Sequence, residues 1–303
     1  GEFRTGADTG CLDYAQITSV VEPIQPYVPP PREPVAAFRT GQQAATIGLS
    51  ISDTIAQPGE EDVYTFIAEA GQRVFFDSQG ETSAQVRWSV EGPNGAPLFS
   101  DATTLSNIEP GLYTLEAGEY TIIVDGTDEV TSDYAFQLWE VPAPPTFPIM
   151  LDLPVFDGSP GTGSGHIESP GVQDIYTFTL DEPTTVYFDS TGSFVEIRWD
   201  LVGPDGNTIF EGQSTAGNLD PGPYTLDAGE YTITGYGAGD ATGLYSFVLH
   251  TVPEPQTFTY AIGDTAAGEI ESVGAEDIYT VEVEAGTTLF VDQTANTPNG
   301  LLY

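Results

Sequence analysis

The chain contains no lysine, one cysteine and two histidines in 303 residues. Its six basic residues are all arginines (Arg4, Arg32, Arg39, Arg73, Arg87 and Arg198), set against 46 acids, for a formal net charge of −40. A surface of that sign repels phosphate backbones, so nucleic acid is excluded as a partner, and anionic membrane surfaces are disfavoured for the same reason. With Cys11 alone, no internal disulfide can form and no C-x-x-C metal or redox motif exists. No apolar run approaches the roughly 20 residues of a membrane span. A secretory leader is not evident, so any such segment is expected to have been removed or to lie outside this sequence. Gly10-Cys11 has the form of a lipoprotein cleavage site, without the apolar stretch that should precede one.

What is abundant is glycine (34), proline (24) and a repeated pattern. YTLEAGEYTI (113–122) returns as YTLDAGEYTI (224–233). The repetition extends through EEDVYTF (60–66), VQDIYTF (172–178) and AEDIYTV (275–281), then RVFFDS (73–78), TVYFDS (185–190) and TLFVDQ (288–293). VRWSVEGPNG (86–95) matches IRWDLVGPDG (197–206), and DYAFQLWEVPAP (133–144) matches LYSFVLHTVPEP (244–255). The expected organisation is two full units, 44–144 and 145–256, and a partial third, 257–303. Residues 1–43 are expected to hold the last strand of a preceding unit, GADTGCLDYAQITSVVEP (6–23), plus a Pro-rich linker. The sequence thus reads as a window on a longer array.

Apolar and polar residues alternate with a period of two, which is strand patterning. Val86, Trp88 and Val90 share one face and Gln85, Arg87 and Ser89 the other; Ile197, Trp199 and Leu201 oppose Glu196, Arg198 and Asp200 in the same way. GPNG and GPDG are hairpin signals, and Gly118 and Gly229 sit in turns where a positive φ is easily adopted. No helical stripe appears. The fold class expected is all-β: tandem antiparallel jelly-roll-like β-sandwich domains joined by Pro-rich linkers. VPAPP (141–145), VPEP (252–255) and YVPPPREP (27–34) read as stiff spacers that resist strand pairing, giving an elongated molecule.

These motifs resemble the bacterial pre-peptidase C-terminal domain family. The resemblance is carried by Asp62/Tyr64/Phe66, Gly92-Pro93-Asn94-Gly95, Leu115/Ala117/Gly118/Tyr120 and Tyr134/Phe136/Leu138. In the second unit it is carried by Asp174/Tyr176/Phe178, Gly203-Pro204-Asp205-Gly206, Leu226/Ala228/Gly229/Tyr231 and Tyr245/Phe247/Leu249. It implies a jelly-roll-like sandwich in a secreted or surface bacterial protein, non-catalytic itself, in a family whose members accompany a protease or bind calcium, collagen or polysaccharide. This chain contains no peptidase and carries its copies in tandem, which favours a scaffold or adhesin.

Candidate chemistry is sparse. His166 and Ser164 share the loop GTGSGHIES (161–169), but Thr162 stands where G-x-S-x-G requires its first glycine. His250 replaces Trp139 of the sister unit, an exchange no catalytic histidine tolerates. GYGAGD (235–240) lacks both the last glycine and the surrounding βαβ unit of a dinucleotide loop. Calcium, which takes six to eight oxygen ligands, is the more serious cofactor. Its candidate ligands are Glu60, Glu61 and Asp62 in one cluster and Asp125, Asp128 and Asp133 in the loop VDGTDEVTSD, which also holds Glu129. Solvated turns explain the same acids, and neither cluster has EF-hand spacing. Arg87 and Arg198, equivalent and outward, are expected to pair across strands with Asp77 and Asp189.

The function expected is that of a non-catalytic extracellular structural or adhesive repeat protein in a surface layer, stalk or fibre, secreted or on a bacterial cell surface. Its partners would be copies of itself or surface and matrix components. The alternatives are a glycan- or matrix-protein-binding module, with Trp139 or Tyr236 stacking on a sugar, and an accessory region of a secreted hydrolase. A partial third sandwich and an orphan N-terminal strand also invite strand addition between chains, with residues 12–21 completing the 257–303 sheet of a neighbour.

Overall fold

The computed structural model describes residues 38–39, 41–80, 85–105, 108–192, 196–214 and 220–292. Cys11, the N-terminal strand and the 27–34 linker lie outside the described residues. Every regular element among those described is a strand, and no helix is long and apolar enough to cross a membrane.

In the first repeat the strands are β1 (Phe38–Arg39), β2 (Gln43–Ala44), β3 (Ser50–Ile55), β4 (Glu60–Ala68), β5 (Arg73–Ser78), β6 (Val86–Glu91), β7 (Pro97–Thr103), β8 (Gly111–Thr114), β9 (Gly118–Gly126) and β10 (Ser132–Glu140). The second contains β11 (Thr146–Pro148), β12 (His166–Ile167), β13 (Gln173–Leu180), β14 (Thr184–Gly192), β15 (Ile197–Val202), β16 (Thr208–Ser214), β17 (Tyr224–Leu226), β18 (Gly229–Gly237), β19 (Gly243–Leu244) and β20 (Ser246–Val252). The third shows β21 (Gln256–Tyr260) and β22 (Asp277–Val281).

Each full repeat is a sandwich of two sheets. The order β1-β4-β9-β6-β7, with β2 also on β4, faces β3-β10-β5-β8; β11-β13-β18-β15-β16 faces β17-β14-β20. The alternation read from the sequence sets the faces. Trp88, Phe76 and Phe136 are buried together in the first sandwich, and Trp199, Phe188 and Phe247 occupy the same places in the second. The tryptophans meet their neighbours tilted, with Trp88–Phe136 at 4.8 Å and Trp199–Phe188 at 4.9 Å between centroids, and Phe188 stacks on Phe247 at 5.0 Å. Such contacts add about 0.5–1.5 kcal/mol each beyond area burial.

The hairpins form where the sequence places them. Gly92 N–H donates to Ala96 O and Gly203 N–H to Asn207 O, both at 2.8 Å, closing β6–β7 and β15–β16. The second copy departs from the first at 156–165. Val155 pairs with Phe247 as β3 pairs with β10, the chain then loops out, and Ile167 rejoins β19 opposite Gly243.

One detail adds to the antiparallel sandwiches and their Pro-rich joints: the short strand that follows each described linker runs parallel to the D-x-Y-T strand, with Phe147 opposite Tyr176 and Phe258 opposite Tyr279. Proline's missing N–H is tolerated because these strands lie at sheet edges. Phe147 packs on Tyr176 at 5.5 Å and Phe258 on Tyr279 at 5.3 Å, so the phenylalanine beyond the prolines anchors the entry to the second and third units.

Candidate functional site

The most regular polar feature lies inside each sandwich. Alternation along β4 turns Asp62 and Tyr64 to the same side, and Tyr134 reaches them from β10 of the opposite sheet. The Tyr134 hydroxyl donates to Asp62 Oδ2 at 2.7 Å and lies 2.7 Å from the Tyr64 hydroxyl. The second sandwich repeats the bridge: Tyr245 donates to Asp174, and the Tyr176 and Tyr245 hydroxyls are 2.6 Å apart. Gly165 N–H, from the looped-out segment, also donates to Tyr176 at 3.0 Å. Burial raises Tyr64 to about 12 and lifts Tyr134, Tyr176 and Tyr245 as well, so all four remain neutral donors. Burial also pushes Asp174 up to about 6, against the hydrogen bond from Tyr245, which pulls it down. These bridges tie sheet to sheet and present no access for a substrate: Asp62, Asp174 and the four tyrosines are all buried.

A second repeated feature lies on the outer face of β5 and β14. Asp77 Oδ2 accepts the Trp139 indole N–H at 2.8 Å and the Gln79 amide at 2.9 Å. In the second repeat His250 Nε2 lies 3.3 Å from Asp189 Oδ2. The Trp-to-His exchange therefore preserves a ring nitrogen beside the same aspartate. His250 Nδ1 also lies 3.7 Å from Asp152, so the ring sits between two surface carboxylates.

The β5 face is where the two repeats meet. Phe75, pointing away from its own core, is buried in the second repeat's cluster, with Leu112, Trp139 and the linker residue Val141 against the same cluster. Gly171 abuts it so closely that a Cβ there would lie 2.8 Å from Phe75 Cβ. Arg73 clamps the rim, donating to Pro142 O at 2.6 Å and Gln173 Oε1 at 2.8 Å. The next joint uses equivalent positions: Tyr187 takes the place of Phe75, and a Cβ on Gly274 would lie 3.0 Å from Tyr187 Cβ.

This seam gathers three acids that the sequence keeps far apart. One carboxylate oxygen each from Asp77 (β5), Glu109 (the approach to β8) and Asp240 (the turn after β18) lie within 4.8 Å of one another. Asp240 contributes to the raised pKa of Asp77, after burial, which is the larger cause.

The six acids chosen from the sequence are not brought together: among the described residues, no three of them meet that distance. Glu60 caps the preceding turn, accepting the N–H groups of Ala56 at 2.7 Å and Gln57 at 2.9 Å. Glu61 faces Asp125 across β4–β9, where burial and then Asp101 and Glu61 raise the Asp125 pKa. Asp62 belongs to the buried tyrosine bridge. Asp128 occupies a turn with φ 57°, and Asp133 accepts the Thr54 hydroxyl at 2.6 Å beside an open cleft of about 500 Å³. GYGAGD is the second copy of the Asp128–Glu129 turn, and Asp240, the one acid it keeps, holds the place of Glu129. The sequence does not announce the meeting of Asp77 and Glu109 with Asp240, because it exists only across the seam.

The expected Arg87–Asp77 and Arg198–Asp189 pairs do not form. Each arginine and its aspartate lie in opposite sheets of the sandwich, and alternation fixes which way a side chain points but not which sheet carries it. Arg87 donates instead to Asp101 O at 2.9 Å. Ser164 is fully buried and donates to Gly161 O at 2.7 Å, which is loop architecture. The glycines of GYGAGD are packing glycines: a Cβ on Gly235 would lie 2.8 Å from the Trp199 ring. Trp139 packs at the seam, and the Tyr236 hydroxyl donates to Asp200 at 3.2 Å.

No family model matches the chain, and no curated protein matches it in sequence. Among solved structures, it is similar to the CUB1-EGF-CUB2 domain of human MASP-1/3, at 12% identity and a TM-score of 0.24, covering 67% of this chain and 99% of that one.

Proposed function

We propose that the protein is a non-catalytic extracellular repeat protein whose sandwiches serve as docked spacers in a surface layer, stalk or fibre. The observation that carries this reading is the recurrent seam, Phe75 on Gly171 and then Tyr187 on Gly274. A joint written twice at equivalent positions adds each unit to the last in the same way, which is the logic of a repeat array. The internal bridges point the same way: their polar groups hold sheets together and do not converge on a cleft. The resemblance to the pre-peptidase C-terminal family and the −40 charge, which keeps such a surface solvated, agree with an exported scaffold. Antibodies against the second repeat, applied to intact source cells, test the reading. Labelling before permeabilisation is expected; labelling only after permeabilisation would contradict it.

A further inference from the structure

We propose that the seam between the first and second repeats holds a calcium ion, bound by Asp77, Glu109 and Asp240, which fastens one sandwich to the next. Three carboxylates with oxygens within 4.8 Å of one another repel strongly unless a cation or a proton offsets them. One of the three is built in from below. Asp77 is only 2% exposed, its Oδ2 is held by Trp139 and Gln79, and its Oδ1 is buried with no hydrogen-bond partner. A buried carboxylate oxygen without a donor, beside two further carboxylates, is an atom that a bound cation would satisfy. The second repeat brings its turn deliberately close. Gly239, at φ 59°, lies so near Glu109 that a Cβ there would stand 2.8 Å from Glu109 Oε2, and Asp240 follows at once.

The donor set selects the ion. It is all carboxylate oxygen, with no imidazole or thiolate, which suits a hard cation and not zinc or copper. Two half-exposed acids on loops from different sandwiches make an irregular, adjustable site open to water. Calcium accepts that with six to eight oxygens, whereas magnesium demands near-octahedral geometry. Asp189 and Asp220 are the second unit's equivalents of Asp77 and Glu109, but there Asp220 accepts the Ser190 N–H at 3.0 Å and Asp189 lies beside His250.

Titration of the whole chain with calcium chloride in 150 mM sodium chloride, followed by calorimetry and by terbium luminescence excited through tryptophan, tests the proposal. A saturable site is expected, with a dissociation constant of ~1 mM or tighter, as in extracellular calcium modules. Asp240→Asn and Glu109→Gln, both on loops, should each weaken it about tenfold or more while the circular dichroism spectrum is unchanged. Glu129→Gln, on the equivalent turn of the first repeat, should leave it as it was. Absence of saturable binding, or binding unchanged in Asp240→Asn and Glu109→Gln, would overturn the assignment.

Discussion

Gly118 lies against the ring of Pro93 with no room for a side chain: a Cβ there would sit 2.5 Å from Pro93 Cγ. Gly229 and Pro204 repeat the contact. The AG-E-Y turn and the GP-x-G hairpin recur together because they touch. Gly118→Ala or Gly229→Ala is therefore expected to cost about 1–3 kcal/mol by overpacking, added to strain at φ 147° and 154°. Gly41, with nothing within 4 Å, is the control. Urea denaturation of the three variants measures the difference, and equal stability of Gly118→Ala and Gly41→Ala would contradict it.

Tyr134→Phe and Tyr245→Phe each remove the hydroxyl that joins a buried aspartate to a second tyrosine. Losing those buried hydrogen bonds should cost on the order of 1–3 kcal/mol. Adding Asp62→Ala to Tyr134→Phe should cost less than the sum of the two single changes, as expected for one network.

Asp174 gives the second repeat a pH dependence of definite sign. Its folded pKa, about 6, lies above the ordinary 3.8, so the folded state binds the proton more tightly. Its contribution is complete below about pH 4 and is lost as pH rises through 6, on the order of 3 kcal/mol in all. Unfolding of the wild type against Asp174→Asn from pH 4 to 7 isolates it. The variant should lack this fall, and parallel curves would refute the assignment.

A chain carrying −40 repels itself. Screening lengths shrink from about 30 Å at 0.01 M salt to about 3 Å at 1 M, so the melting temperature should rise across that range. A flat or falling melting temperature would show that the acids are already offset within the fold.

The strands, hairpins and buried aromatic stripes were legible because each is local: Trp88 and Trp199 announce their faces by alternation alone. What was not legible is contact between distant segments. The D-x-Y motif reads as the opening of a unit, but its meaning is the hydroxyl of Tyr134, from another sheet. Phe147 follows the prolines, and nothing near it in sequence announces that it pairs with Tyr176. Arg87 and Asp77 have the right outward parity and the wrong sheets. In the same way, acids adjacent in sequence, such as Glu60 and Asp62, went to separate local tasks, while Asp77 and Asp240 were joined by a seam between repeats.

The central claim is that the repeats are fixed to one another at that seam. Spin labels at the exposed equivalent positions Ala117→Cys and Ala228→Cys, with Cys11→Ser, report it by electron–electron resonance. One narrow distance distribution is predicted, broadened when Gly171→Val displaces Phe75; a broad distribution in the unaltered seam would contradict the account.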